Sequence, residues 1–119
     1  MAKKIAYYRK KADKLFQQWF ISKNSQCELC LNVATCGHHF VTKAASSALR
    51  YEEKNMIPVC TGCHLGFHSS RASDFIGRIV LLRGAKWFQY LQLSKYKISK
   101  INIGYYKDII GFFESKLNK

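Results

Sequence analysis

Nine residues able to bind a metal crowd into less than half of this chain: Cys27, Cys30, Cys36, Cys60 and Cys63, with His38, His39, His64 and His68. They are all the cysteines and histidines the protein has. Cys27 and Cys30, like Cys60 and Cys63, are separated by two residues, about the shortest bridge that lets two sulfurs turn toward one ion. Two such knuckles supply the four thiolates of a tetrahedral structural zinc. The string Cys60-Thr61-Gly62-Cys63-His64 also reads as a c-type haem attachment motif, which would need only His64. A two-cysteine, two-histidine finger is excluded by spacing, because His64 directly follows Cys63. Cys36 is left over as a small packed residue. His64 and His68 stand four apart, on one face of a helix beginning at the second knuckle, so both can reach one ion.

The rest of the chain must position these groups. With 119 residues, 48% of them hydrophobic, one compact domain is expected. Its core is small enough for a bound metal to matter to stability. Ile5, Tyr8, Ala12, Leu15, Phe16 and Trp19 recur at helical spacing, with Lys4, Arg9, Lys10, Lys11 and Lys14 between them, so residues 1–24 form an amphipathic helix ending near Asn24-Ser25. Residues 25–70 lose that period and hold the chemistry. Residues 71–119 form a helical extension: one helix capped by Ser73 and stopped by Gly84, a second around Trp87, Tyr90 and Leu91, and a third after Gly104. Helices thus flank a small irregular centre.

Twenty basic residues against seven acidic ones leave a net charge of +13, distributed along the whole chain, which points to a polyanionic partner, DNA before an anionic membrane. No apolar run is long enough for a signal peptide or a membrane span, so a cytoplasmic location is expected. Thiols stay reduced there, which favours metal over disulfides and argues against haem attachment.

The stretches "CELC", "GHHF", "NMIPVCTGCH" and "GFH" resemble the HNH, or ββα-metal, endonucleases, with His39, Asn55 and His64 standing for the three letters. The flanking "KKADKLFQQWF", "LRYEEKN" and "RGAKWFQYL" are similar to phage recombination endonucleases of the NinG or Rap type. The resemblance implies a small α+β fold with a ββα-metal core within residues 25–70, and a metal-dependent DNA endonuclease acting on branched or Holliday-junction-like DNA in a bacterial host, of phage or prophage origin. It also implies roles. His39 would be the general base, Asn55 would hold the strand carrying it, and His38, His64 and His68 would bind one catalytic divalent ion. Imidazoles favour zinc, nickel or manganese, whereas magnesium would need phosphate and water oxygens to complete its shell. Lys43, Arg50, Lys54, Arg71, Arg78 and Arg83 are candidate DNA contacts. A symmetric cut at a junction would suit a homodimer, with the aromatic C-terminal helices as one source of its interface.

Adjacent residues on a strand face opposite ways, so bringing His38 and His39 to one site requires a strand end or a bulge, and Gly37 is placed to permit the latter. The rival function is a zinc-stabilised DNA-binding module without catalysis. Carboxylate-based nuclease chemistry has little material, since Glu52-Glu53-Lys54 lacks an upstream acidic partner.

Overall fold

A computed structural model describes residues 2–97 and 100–118, with side chains from Lys4 onward. The helical period of the N-terminus becomes α1, Ala2–Lys23, whose Ala12, Phe16 and Phe20 are buried while Lys4, Lys10, Lys11, Lys14 and Lys23 face out. Asn24 closes it, both its backbone N–H and its side-chain amide donating to the Phe20 carbonyl at 3.0 Å. The chain then makes the first cysteine knuckle, where Leu31 takes a left-handed φ of 66° directly after Cys30.

Strand β1, Cys36–His39, pairs antiparallel with β2, Met56–Val59, in the register Cys36↔Val59 through His39↔Met56. Helix α2, Thr61–Phe67, follows directly. Because side chains alternate along a strand, the two-stranded sheet has two distinct faces. Ile57 and Val59 enter a cluster with Cys27, Phe67 and Ile79, while Met56 packs with Phe16, Phe20 and Phe113. Both faces are covered, which is why the apolar run in β2 does not alternate with polar residues.

Helix α3, Ala72–Arg83, starts before the expected cap: its N-cap is Arg71, with no side-chain cap bond, and Ser73 lies inside the first turn. The Ser69 hydroxyl instead donates to the Gly66 carbonyl and accepts from the Arg71 N–H, shaping the turn between α2 and α3. Gly84 ends α3 at a φ of 93°, a conformation costly for any residue with a Cβ, and also caps α4, Ala85–Ser94. The last helix, α5, Ile103–Leu117, is capped by Asn102, whose Oδ1 accepts from the Tyr105 N–H at 2.8 Å. It packs along α1, bringing Tyr106 and Ile110 onto Ala12 and Phe113 onto Phe16. Burying Phe113 there contributes about 1.5–3 kcal/mol. Among the described residues no helix is long and apolar enough to cross a membrane.

Candidate functional site

The two knuckles meet. Cys27 and Cys30 come from the loop after α1; Cys60 caps α2 and Cys63 sits in its first turn, its N–H donating to the Cys60 sulfur. The four Sγ atoms lie within 4.8 Å of one another, with Cys30 and Cys60 at 3.4 Å. A zinc–sulfur bond of about 2.3 Å puts tetrahedral sulfurs about 3.8 Å apart, so the set fits a metal of that size. Burial opposes ionisation of the Cys27 thiol, but the N–H groups of Cys30, Cys60 and Leu29 outweigh it and bring its pKa down to about 6. Burial and the neighbouring thiols push Cys63 up. A divalent cation resolves this conflict by holding all four as thiolates. The backbone fastens the knuckles, since Glu28 N–H donates to the Pro58 carbonyl and Thr35 N–H to that of Val59, both at 2.9 Å.

A second cluster lies on the other side of α2. Ligand atoms of His38, His64 and His68 also fall within 4.8 Å of one another. The Nε2 atoms of His64 and His68 approach to 3.2 Å, close to the edge of about 3.3 Å for a tetrahedron built on metal–nitrogen bonds of about 2.0–2.1 Å. Cys63 and His64 are adjacent in α2 and therefore turned about 100° apart. One reaches back to the knuckles and the other across to β1. His38, only 9% exposed, stacks on Phe67 with ring centroids 4.4 Å apart. Burial, then the neighbouring His64, His68 and His39, lower its pKa to about 4, so it is neutral, as a metal ligand must be.

Cys36 proves to be more than packing. Its Sγ lies 3.4 Å from His64 Nδ1, which occupies that nitrogen and leaves Nε2 to face the cluster. No spacing rule singles out this pair, 28 residues apart.

His39 is the last residue of β1 and leaves the opposite face of the sheet, toward Phe16 on α1. The bulge expected at Gly37 is absent: pairing is one-to-one from Cys36 to His39 and Gly37 is not left-handed. Gly37 serves close packing instead, since a Cβ there would come within 2.8 Å of both Met56 Cε and Phe20 Cδ2. The strand end does what a bulge would have done. The chain bends at Phe40, and a cavity of about 300 Å³ is bordered by both His38 and His39, with His64, His68, Gln17 and Lys43.

His39 Nε2 lies 2.9 Å from the Arg50 carbonyl, which can only accept, so Nε2 carries the proton and Nδ1 the lone pair. Burial lowers its pKa against the opposing pull of that carbonyl, and Lys43 and Arg50 lower it further. Arg50 is itself fixed: its Nε and Nη2 donate to the two Asp13 carboxylate oxygens at 2.9 and 2.6 Å, and the Tyr51 hydroxyl donates to the same carboxylate.

Two side-chain amides hold β1 at its ends. Asn55, fully buried, accepts from the Val41 N–H at 2.8 Å and donates to the Val41 and Leu49 carbonyls, tying down the segment that follows His39. Gln17 does the same for Gly37, accepting from its N–H and donating to its carbonyl, both at 2.8 Å. In the sequence Gln17 reads only as a polar helix residue.

The six basic candidates divide. Lys43 borders the cavity. Arg50 is committed to Asp13, and Arg83 makes a two-pronged pair with Glu28 while donating to the Lys54 and Met56 carbonyls, so neither is free for phosphate. Lys54 lies over the Tyr90 ring, and Arg78 donates to the Leu29 carbonyl. Arg71 is exposed, 3.7 Å from Asp74. No family model matches this sequence, and no curated protein or solved structure is significantly similar to it.

Proposed function

We propose that the protein is a metal-dependent endonuclease of the HNH type, hydrolysing phosphodiester bonds in branched or recombination-intermediate DNA. The observation that carries this reading is the shared cavity: three imidazoles converge on one point, and a fourth, His39, borders the same space with its lone pair on Nδ1. A purely structural metal would not need the fourth histidine or the open cavity.

His38, His64 and His68 would hold the divalent ion, which when bound stabilises charge on the non-bridging and leaving oxygens of the phosphate. His39 takes a proton from the attacking water at Nδ1. The imidazolium so formed keeps its Nε2–H on the Arg50 carbonyl, which orients the ring and favours the added charge. Lys43, at the rim, meets a flanking phosphate. The cysteine set would hold a structural zinc.

The test is cleavage of a plasmid and of a four-way junction with manganese or magnesium. His39→Ala should lower the rate by roughly 10² to 10⁴-fold, the usual contribution of a general base, with DNA affinity retained. Equal inertness of wild type and variant, with DNA still bound, would replace the nuclease by a zinc-stabilised binding module.

A further inference from the structure

We propose that the outer face of α1 is a track for one unpaired nucleic-acid strand, leading it into the histidine cavity. This rests on the nucleic-acid reading above and adds to it the path of the strand and its single-stranded state.

Three concavities adjoin along α1. The first, about 450 Å³, is lined by Tyr7, Lys10, Lys11, Lys14, Leu15 and Gln18. The next, about 360 Å³, shares Gln18 and extends through Gln17 to Cys36. Gln17 and Cys36 in turn border the histidine cavity. At 1.5 Å per residue, Lys14 precedes Gln17 by about 4.5 Å along the helix axis and Lys10 by about 10.5 Å. The interval between the two lysines is comparable to one nucleotide of an extended strand.

The charge that α1 itself places on this face is of one sign. Lys10 and Lys14 are exposed and form no ion pair among the described residues. Lys11 has only an exposed partner, Glu114, at 3.9 Å, a pair too solvated to neutralise it. Asp13, the one acidic residue in the sequence of α1, is turned away to Arg50 and Tyr51. A plain solvated helix face would carry lysines too. It would not gather them around a depression that contains an aromatic ring.

Tyr7 is 63% exposed within that depression, its edge-to-face contact with Tyr8 leaving the ring open to solvent. The bases of a duplex are already stacked on one another and cannot reach it. An unpaired base can stack there, with its neighbouring phosphates on Lys10 and Lys14, the combination of aromatic platform and cationic groove that single strands require. Near a branch point, such a strand is what a recombination intermediate exposes.

The experiment measures binding of a fluorescent oligothymidylate and of a duplex of equal length across a salt series. Wild type is compared with Lys10→Gln/Lys14→Gln and with a charge-matched control, Lys86→Gln/Lys116→Gln, on α4 and α5. All four positions are exposed, so folding should survive, and far-ultraviolet circular dichroism checks that it does. Losing two single-strand phosphate contacts should lower the slope of log affinity against log salt by about 1.4 and weaken binding roughly 25-fold at 0.1 M salt. Duplex binding should change no more than in the control.

A loss equal to that of the control pair overturns the track, and an equal loss for duplex overturns its single-stranded character. If wild type binds no nucleic acid, the track and the nuclease reading both fall. If wild type binds and cuts but the α1 variant behaves like the control, only the track falls; if the variant responds as expected yet wild type never cuts, only the nuclease reading does.

Discussion

The cysteine and histidine clusters share a helix and differ in almost everything else. Cys27 is fully buried beside Ile57, Val59 and Ile79, and its four-thiol set joins the loop after α1 to the start of α2. The histidine set has three members, ends on the exposed His68, and borders a cavity. Four protein ligands close a coordination sphere and tie chain segments together; three leave a place for water or substrate. Under the proposed function, ligand number and burial, rather than the presence of a metal-binding cluster as such, would divide structural work from chemical work.

The sharpest way to break that division is to remove each metal in turn. Cys27→Ser should abolish cooperative thermal unfolding, because the free energy of a structural zinc site, on the order of 10–16 kcal/mol, exceeds what a domain this small has in reserve. His64→Ala should leave the melting curve within about 1 kcal/mol of wild type while lowering bound metal by one equivalent. Retained folding in the cysteine variant, measured by circular dichroism with zinc quantified, would show that the cluster is not the fold's anchor.

The amides at the two ends of β1 give a smaller contrast. Asn55→Ala leaves the buried Val41 N–H and carbonyl without partners, while the Leu49 carbonyl keeps the Glu52 N–H, and should destabilise by about 2 kcal/mol or more, at about 1–3 kcal/mol per stranded group. Gln17→Ala frees groups nearer solvent and should cost less, while reducing cleavage more than stability because Gly37 directly precedes the His38-His39 pair. Urea titration of both variants alongside cleavage rates checks the ordering.

Asp13 connects stability to the histidine side through pH. Burial opposes its charge, but Arg50 and Tyr51 outweigh this and hold its pKa below the ordinary value. A depressed carboxylate stabilises the fold fully above its unfolded pKa of about 3.9, and that contribution is lost as pH falls through the folded value. Asp13→Asn should therefore cost about 1–3 kcal/mol at neutral pH and flatten the acid limb of the stability profile. A profile parallel to that of wild type below pH 4 would assign the acid sensitivity elsewhere.

The smallest effect belongs to Cys36. Cys36→Val should weaken metal binding at the histidine cluster by roughly 10-fold, with Cys36→Ser closer to wild type because a hydroxyl can still hold His64 Nδ1. The cysteine set should keep its metal in both variants.

What could be read from the sequence was whatever short spacing encodes. The knuckles, the His64–His68 face and the period of α1 each depend on residues a few positions apart, where covalent geometry alone decides who can meet. Arg50 and Arg83 show the limit: their charge is visible, but Asp13 and Glu28 lie 37 and 55 residues away, and these partners decide whether the guanidinium is free. Gln17 and Cys36 were hidden for the same reason. The opposite faces of His38 and His39 followed from strand geometry, whereas the device that reconciles them, a strand end and not a bulge, depended on Phe20 and Met56 crowding Gly37.

Helix α2 has only seven residues, and Cys60, Cys63, His64 and His68 lie in it or at its ends. One inserted or deleted residue between Cys63 and His68 would swing His68 by about 100° around the axis while the cysteines kept their places. Substitution can thus tune either cluster alone, but a change in length at residues 64–67 disarms the histidine set while sparing the cysteines. The first knuckle is fixed by its own backbone, Cys27 N–H donating to the Asn32 carbonyl at 2.7 Å and Leu31 N–H to that of Cys27 at 3.0 Å. Insertions and deletions should be absent from residues 64–67.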